Sequence, residues 1–148
     1  MVKRILVTLD GSDFSERALE PAFEIAEQFK AEVVLLRVLA PDPIAMAAGA
    51  GPQYLDLHEM REQRELGEAE TYLRGIRSSW KDTGVATEIR VAVGAPPEMI
   101  LKVVESVGAD LIAMSTHGRS GLDRFLYGSV AEAVLRGTQV PLLLIPIK

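Results

Sequence analysis

A glycine-rich turn between an apolar strand and a helix is the part of this sequence best suited to chemistry. The strand ends at Met114, the turn contains Gly118 and Gly121, and the helix begins at Gly128 and Ser129. Glycine leaves backbone N–H groups accessible, and the first turn of a helix has N–H groups without a partner in the helix. Such a turn attracts anions, so the segment predicts a phosphate-binding site of a nucleotide-binding domain.

A second candidate group follows the first apolar run, residues 5–9, where Asp10 begins a polar turn. In a doubly wound sheet, ligands bind beyond the carboxyl ends of strands, at the point where the strand order reverses. If strands one and four are neighbours there, Asp10 is placed to accept a ribose hydroxyl. The amides of Gly118 and of residues 128–131 then surround phosphates, and Arg119 adds a positive charge.

Each of these groups also has a purely structural interpretation. Ser129 and Glu132 have the spacing of a capping box, in which Ser129 closes its own helix. The amides of Val130 and Ala131 stay available to an anion in either case. Asp10 equally suits the entry to a helix without any ligand, and the glycines of the turn suit ordinary turns.

Several enzyme classes lack their motifs in this chain. The sequence contains no cysteine, which excludes disulfides, thiol catalysis and thiolate metal sites. It contains no P-loop, no nucleophile elbow and no glycine-rich dinucleotide fingerprint after the first strand. The histidines are His58 and His117, far apart in sequence, so we expect no metal site. A convincing general base and a P-loop lysine are also missing, so the sequence favours binding over catalysis.

Composition narrows the class of protein further. The chain has 148 residues, of which 48% are hydrophobic and 25% charged, as expected for one folded domain. Its 16 basic and 21 acidic residues give a net charge of −5, which argues against a nucleic-acid partner. Asp10 cuts the N-terminal apolar run too short for a signal peptide, and the run at residues 142–145 cannot span a membrane. We expect a soluble cytoplasmic protein with no membrane partner.

Strands and helices alternate along the chain. Apolar runs and alternation predict strands over residues 5–9, 33–38, 87–93, 111–114 and 142–147. Helical patterns span residues 13–30, 55–81, 96–107 and 129–137. Asp13 and Glu16 have capping-box spacing at the first helix, Pro21 should kink or restart it, and Phe29 belongs to its apolar face. The prolines and glycines within residues 40–53 predict a mobile loop. The fold class is therefore α/β, a doubly wound five-stranded parallel sheet with four helices on two faces.

The chain resembles the universal stress protein family over residues 1–148, as a single domain of that type. Residues 5–12 are similar to the family's first strand and turn, and residues 140–145 to its final strand. The family signature is G-x2-G-x9-G-[ST]. Gly118, Gly128 and Ser129 match it at the right spacing, and Ser115 stands where the signature has its first glycine.

The resemblance implies the strand order 3-2-1-4-5 and an ATP-binding crevice between strands one and four. Val38 would meet adenine through its backbone, Asp10 would lie beside the ribose, and the start of the last helix would hold phosphates. The nucleotide-binding residues so implied are Thr8, Leu9, Asp10, Val38, Met114, Ser115, His117, Gly118, Arg119, Gly128, Ser129, Val130 and Ala131. Two outcomes stay open for Ser115: its side chain crowds the ligand, or its hydroxyl is tolerated and hydrogen-bonds to it.

The resemblance also implies a homodimer formed through the fifth strand, Leu142, Leu143, Leu144 and Ile145. An apolar strand at a sheet edge needs a cover, and antiparallel pairing with a second copy supplies one. The leading hypothesis is a dimeric, ATP-binding stress sensor or switch, with or without Mg²⁺, that acts on an unknown protein partner. The alternatives are a slow, Mg²⁺-dependent ATPase that uses Asp10, and a dimeric interaction module that binds no nucleotide.

Overall fold

The computed structural model describes residues 1–41, 52–116 and 128–146, with the backbone alone for 52–56. Five strands form one parallel sheet in the order β3-β2-β1-β4-β5. This confirms the expected fold class and strand order. The strands are β1 (Arg4–Thr8), β2 (Glu32–Leu39), β3 (Thr87–Val93), β4 (Leu111–Ser115) and β5 (Leu142–Ile145).

Helices cover both faces of the sheet. They are α1 (Asp13–Glu16), α2 (Leu19–Phe29), α3 (Pro52–Ser79), α4 (Pro96–Val107) and α5 (Ser129–Gly137), with a 3₁₀ turn at Lys81–Thr83. The bounds of α5 coincide with the predicted helix 129–137. Gly108 ends α4 with φ +67°, a conformation that glycine adopts without strain.

The first helix is divided, as Pro21 predicted. α1 ends at Glu16 and α2 begins at Leu19, so Pro21 lies in the first turn of α2, where no N–H is needed. The cap prediction was wrong by one residue: Ser12 is the N-cap of α1, and its side chain accepts a hydrogen bond from Ser15 N–H. The restart also changes the buried face. Leu19 and Phe23 are buried, whereas Phe29 is 47% exposed, contrary to expectation.

Most of the other element bounds differ from the prediction by a few residues, and two of the differences have a clear cause. Pro52 and Gln53 belong to α3 rather than to a loop, because proline fits the first turn of a helix. Residues 42–51 of the predicted mobile loop lie outside the described residues. β5 ends at Ile145 rather than at residue 147, since Pro146 has no N–H with which to continue a strand ladder.

The core consists of two apolar clusters separated by the sheet. One lies under α2 and α3 and includes Phe23, whose ring stacks on Trp80 with centroids 4.7 Å apart. The other lies under α4 and α5 and includes Ile100 and Val134. β1 and β4 lie between them and are buried on both faces, so their carboxyl ends are held rigidly.

Candidate functional site

A crevice of about 360 Å³ opens at the carboxyl ends of β1, β2 and β4, a volume typical of small-molecule sites. β1 pairs with β4 on one side and with β2 on the other, so the expected adjacency of strands one and four is confirmed. The crevice is lined by Thr8, Leu9, Asp10, Ser15, Leu36, Arg37, Val38, Leu39, Ala40, Pro96, Ile100, Met114, Ser115, Thr116, Ser129, Val130 and Ala131.

Most of the residues singled out from the sequence meet in this crevice. They come from the end of β1, from β2, from the end of β4 and from the first turn of α5: Thr8, Leu9, Asp10, Val38, Met114, Ser115, Ser129, Val130 and Ala131. His117, Gly118 and Arg119 lie outside the described residues. Gly128 is described but does not line the crevice.

The first turn of α5 brings backbone donors to the crevice. Gly128 is the N-cap and Ser129 the first helical residue, so the capping-box interpretation of Ser129 was wrong. Glu132 instead pairs with Arg136, its Oε1 2.7 Å from Arg136 Nη2. None of the described residues accepts a hydrogen bond from the amides of Ser129, Val130 or Ala131. These N–H groups, at the positive end of the helix dipole, suit an anion.

Gly128 itself has a structural role. Its N–H donates to the carbonyl oxygen of Thr116 over 2.5 Å, and Thr116 N–H donates to Ile145 O over 3.0 Å. The Gly128 amide is therefore engaged within the protein rather than directed to the crevice.

The turn after β1 holds the carboxylate of Asp10. Its Oδ1 accepts hydrogen bonds from Ser12 N–H at 2.9 Å and from Ser12 Oγ at 2.5 Å. Ser15 Oγ accepts from Asp10 N–H at 3.2 Å and donates to Ser12 O at 2.9 Å. Asp10 thus does serve the entry to α1, as the structural interpretation supposed, and it lines the crevice as well. The turn orients the carboxylate before any ligand is present.

The remaining walls of the crevice are largely apolar. Leu9, Ile100 and Met114 are almost fully buried, and Pro96 and Val38 complete this side. Sequence reasoning missed the other eight lining residues, which are Ser15, Leu36, Arg37, Leu39, Ala40, Pro96, Ile100 and Thr116. For Ser15, the Ser12–Ser15 spacing was an available signal, since it is the spacing of a cap.

Ser115, the departure from the signature, is the last residue of β4 and is 6% exposed. It pairs with Ile145 of β5 and lines the crevice. A residue at this place meets any ligand that enters between β1 and β4, so the volume of its side chain affects the space available.

The described residues meet the requirements of neither a metal site nor a membrane-spanning helix. Across residues 1–41, 52–116 and 128–146, no three histidine, aspartate or glutamate side chains come close enough to hold a metal ion. Within the same ranges, no helix combines the length and apolarity that crossing a bilayer requires.

Comparison with known proteins identifies the family. The family model described as "Universal stress protein family" matches residues 1–146. The chain belongs to the universal stress protein family. Among its relatives is universal stress protein MJ0531 of Methanocaldococcus jannaschii, 32% identical, with 98% of this chain and 82% of the relative covered. Universal stress protein YxiE of Bacillus subtilis is 30% identical, with 98% and 99% covered.

Solved structures of the universal stress protein family share the whole fold. MJ0577 of Methanocaldococcus jannaschii superimposes with a TM-score of 0.81 at 30% identity, covering 100% of this chain and 98% of the other. A universal stress protein in complex with cAMP gives a TM-score of 0.70 at 25% identity, covering 99% and 98%.

Proposed function

We propose that this universal stress protein binds an adenine nucleotide, ATP, in the crevice between β1 and β4. The observation that carries the proposal is the composition of the crevice. It combines an apolar wall, the oriented carboxylate of Asp10 and the helix-terminal amides of Ser129, Val130 and Ala131. These three parts match the ring, the sugar and the phosphates of a nucleotide. The relative in complex with cAMP supports the choice of an adenine nucleotide.

The proposed orientation follows from the chemistry of each wall. The adenine ring lies against Val38 and Met114, where burial of apolar surface favours a flat heterocycle. The ribose hydroxyls donate to Asp10, and the phosphates lie at the start of α5. Mg²⁺ accompanies the triphosphate, held mainly by phosphate oxygens and water, as is usual for this cation.

We further propose that the protein acts in the cytoplasm as a homodimeric sensor or switch, in which nucleotide binding alters contacts with a protein partner. Support for the dimer comes from β5, an edge strand whose residues Leu142–Ile145 are only half-buried. An exposed apolar edge of this kind tends to pair with another strand.

Titration calorimetry of the purified protein with ATP, with and without Mg²⁺, tests the nucleotide proposal. Acid extraction and chromatography of the same preparation detect nucleotide that has co-purified. We expect saturable binding. Ser129→Glu should weaken it about tenfold or more, because a carboxylate then occupies the anion site. Ser129 is exposed and glutamate is favourable in a first helical turn, so the fold should persist.

The matched control is Leu135→Glu, which adds the same charge to an exposed position near the other end of α5. It should bind ATP as the wild type does. Equal affinities for wild type, Ser129→Glu and Leu135→Glu would contradict the placement of the phosphates. An absence of saturable binding and of extracted nucleotide would contradict the function itself.

A further inference from the structure

Arg37 lies on β2 and directs its side chain away from the apolar cluster under α4 and α5. Its neighbours Leu36 and Val38 pack into that cluster, so the alternation of a strand places Arg37 on the opposite face. There its guanidinium carbon lies 5.7 Å from the centroid of the Tyr72 ring, within the range of a cation–π contact. The guanidinium is therefore held between a strand and α3.

The Arg37 guanidinium also rests on the turn that carries Asp10. Gly11 has φ +88°, and a Cβ built there would overlap Arg37 Nη1 and lie 3.3 Å from Cζ. Glycine suits this backbone conformation, and its missing Cβ leaves the space in which the guanidinium lies. A cationic side chain thus packs directly against the residue that follows the proposed ribose acceptor.

Two carboxylates lie near Tyr72 as well. The carboxylates of Glu16 and Asp10 and the guanidinium of Arg37 all influence the Tyr72 hydroxyl, so each of the three charges lies near that side chain. Arg37 lines the nucleotide crevice and also an adjoining cavity that includes Glu65, Glu68 and Tyr72. Arg37 therefore contributes to the walls of both cavities.

We infer that Arg37 is a positioning residue of the nucleotide site: by packing on Gly11 and attracting Asp10, it acts together with the Ser12 hydrogen bonds to hold the Asp10 carboxylate toward the ribose hydroxyls. The inference rests on the proposed function. Its consequence is a specificity for nucleotides that retain their ribose hydroxyls, and this specificity depends on a residue that need not touch the sugar.

The test compares ATP with 2′,3′-dideoxy-ATP, which lacks both hydroxyls, by calorimetric titration of wild type and variants. Arg37→Met should lower the affinity for ATP about fivefold to tenfold and leave that for dideoxy-ATP nearly unchanged. In an Asp10→Asn background, Arg37→Met should have little further effect, because both changes remove one interaction with the sugar. Arg37→Lys should give an intermediate preference, since lysine keeps the charge but lacks the planar group.

Arg90→Met is the matched control. Arg90 lies on the neighbouring strand β3, is exposed and pairs with Glu88, so its loss removes the same charge away from the crevice. It should leave both affinities unchanged. If Arg37→Met does not fold, the Arg37→Lys comparison carries the test, and an unaltered ATP preference in that variant overturns the inference.

Two other results would also overturn it. An equal loss of ATP and dideoxy-ATP binding in Arg37→Met would indicate a contact with the phosphates or a general loss of structure. Additive losses for Arg37→Met and Asp10→Asn would show that the two residues act independently. Failure of the proposed function is distinguishable from both results, because even the wild-type protein would then bind no ATP. The inference about Arg37 would fall with the proposed function in that case.

Discussion

The carbonyl oxygen of Thr116 accepts a hydrogen bond from Gly128 N–H over 2.5 Å. This bond joins the end of β4 to the residue before α5, across 12 positions of sequence. Thr116 is itself anchored to β5 through Ile145. The start of α5 is therefore tied to the sheet at the carboxyl end of β4, which places the amides of its first turn at the crevice in advance of any ligand.

The first prediction concerns the charge of Asp10. Asp10→Asn keeps an oxygen that can accept from Ser12 but removes the negative charge offered to a ribose hydroxyl. We expect ATP affinity to fall about tenfold, as for loss of a hydrogen bond to a charged group, and the thermal midpoint to change little. Calorimetry with ATP measures the first quantity and a thermal melt the second.

Asp13→Asn is the control for that prediction. Asp13 is exposed, lies in the first turn of α1 and does not line the crevice. Its variant should bind ATP as the wild type does. If Asp10→Asn and Asp13→Asn gave the same affinity, Asp10 would have only its structural role at the entry to α1.

The second prediction concerns the volume at Ser115. Ser115→Val adds apolar bulk at a buried position that lines the crevice, and it should weaken ATP binding about tenfold. Ser115→Gly restores the signature residue and should bind at least as tightly as the wild type. Ser115→Ala separates the two open outcomes: unchanged affinity means that the hydroxyl is merely tolerated, and weaker binding means that it contacts the ligand. Wild-type affinity in Ser115→Val would contradict the crevice as the site.

The third prediction concerns pH and Tyr72. Burial raises the pKa of Tyr72 above its ordinary value of 10.0, and the neighbouring carboxylate of Glu16 raises the pKa further. The folded state then holds this proton more tightly than the unfolded chain does. The resulting stabilisation is complete below pH 10 and is lost as pH rises through the folded-state pKa. The unfolding free energy of the wild type should therefore decline above about pH 10.

Tyr72→Phe should remove that part of the decline. The Tyr72 hydroxyl oxygen is buried, and the neighbouring group that raises its pKa most, the Glu16 carboxylate, does not reach ordinary hydrogen-bond geometry, so loss of the hydroxyl should change stability little at neutral pH. Urea unfolding of wild type and variant at several pH values measures both effects. Parallel stability curves through the alkaline range would show that the hydroxyl is not the titrating group.

The backbone of β5 suggests how an edge pairing would form. The carbonyl oxygen of Pro141 accepts a hydrogen bond from Ile112 of β4, and that of Ile145 accepts one from Thr116, the residue after β4. Because the backbone groups of successive residues in a strand point to opposite sides, those of Leu142 and Leu144 point away from β4. They are the groups that a second copy would meet.

The fourth prediction is that Leu144→Pro converts a dimer into a monomer. Proline at position 144 removes the N–H that points away from β4. The hydrogen bonds between β5 and β4 come from the alternate residues, so they should persist in the variant. Light scattering at micromolar concentration measures the mass. Leu135→Lys is the control, because it changes an exposed leucine that belongs to α5 rather than to β5 and should leave the dimer intact. A monomeric wild type, or a dimer broken only by Leu135→Lys, would contradict pairing through β5.

Local sequence signals predicted most of the elements. The bounds of α5 were correct because glycines stand at both of its ends, and β1 and β4 were recognised as short apolar runs. The errors arose where two local signals competed. Ser12 and Asp13 are both good caps, and hydrogen-bond geometry selected Ser12. The apolar face that included Phe29 assumed one continuous helix, whereas the break before Leu19 rotated the buried face.

By itself, the sequence determined the fold class, the strand order through family resemblance, and most residues of the crevice, because glycines, caps and apolar periodicity act over a few residues. Only the tertiary structure decided which distant groups meet. Arg37 packs against Gly11, and Gly128 N–H donates to Thr116 O. Each contact joins two segments that are distant in the sequence, and no local sequence pattern indicates that they meet. The pairing of parallel strands brings such segments together, so these contacts depend on the packed sheet rather than on any local pattern.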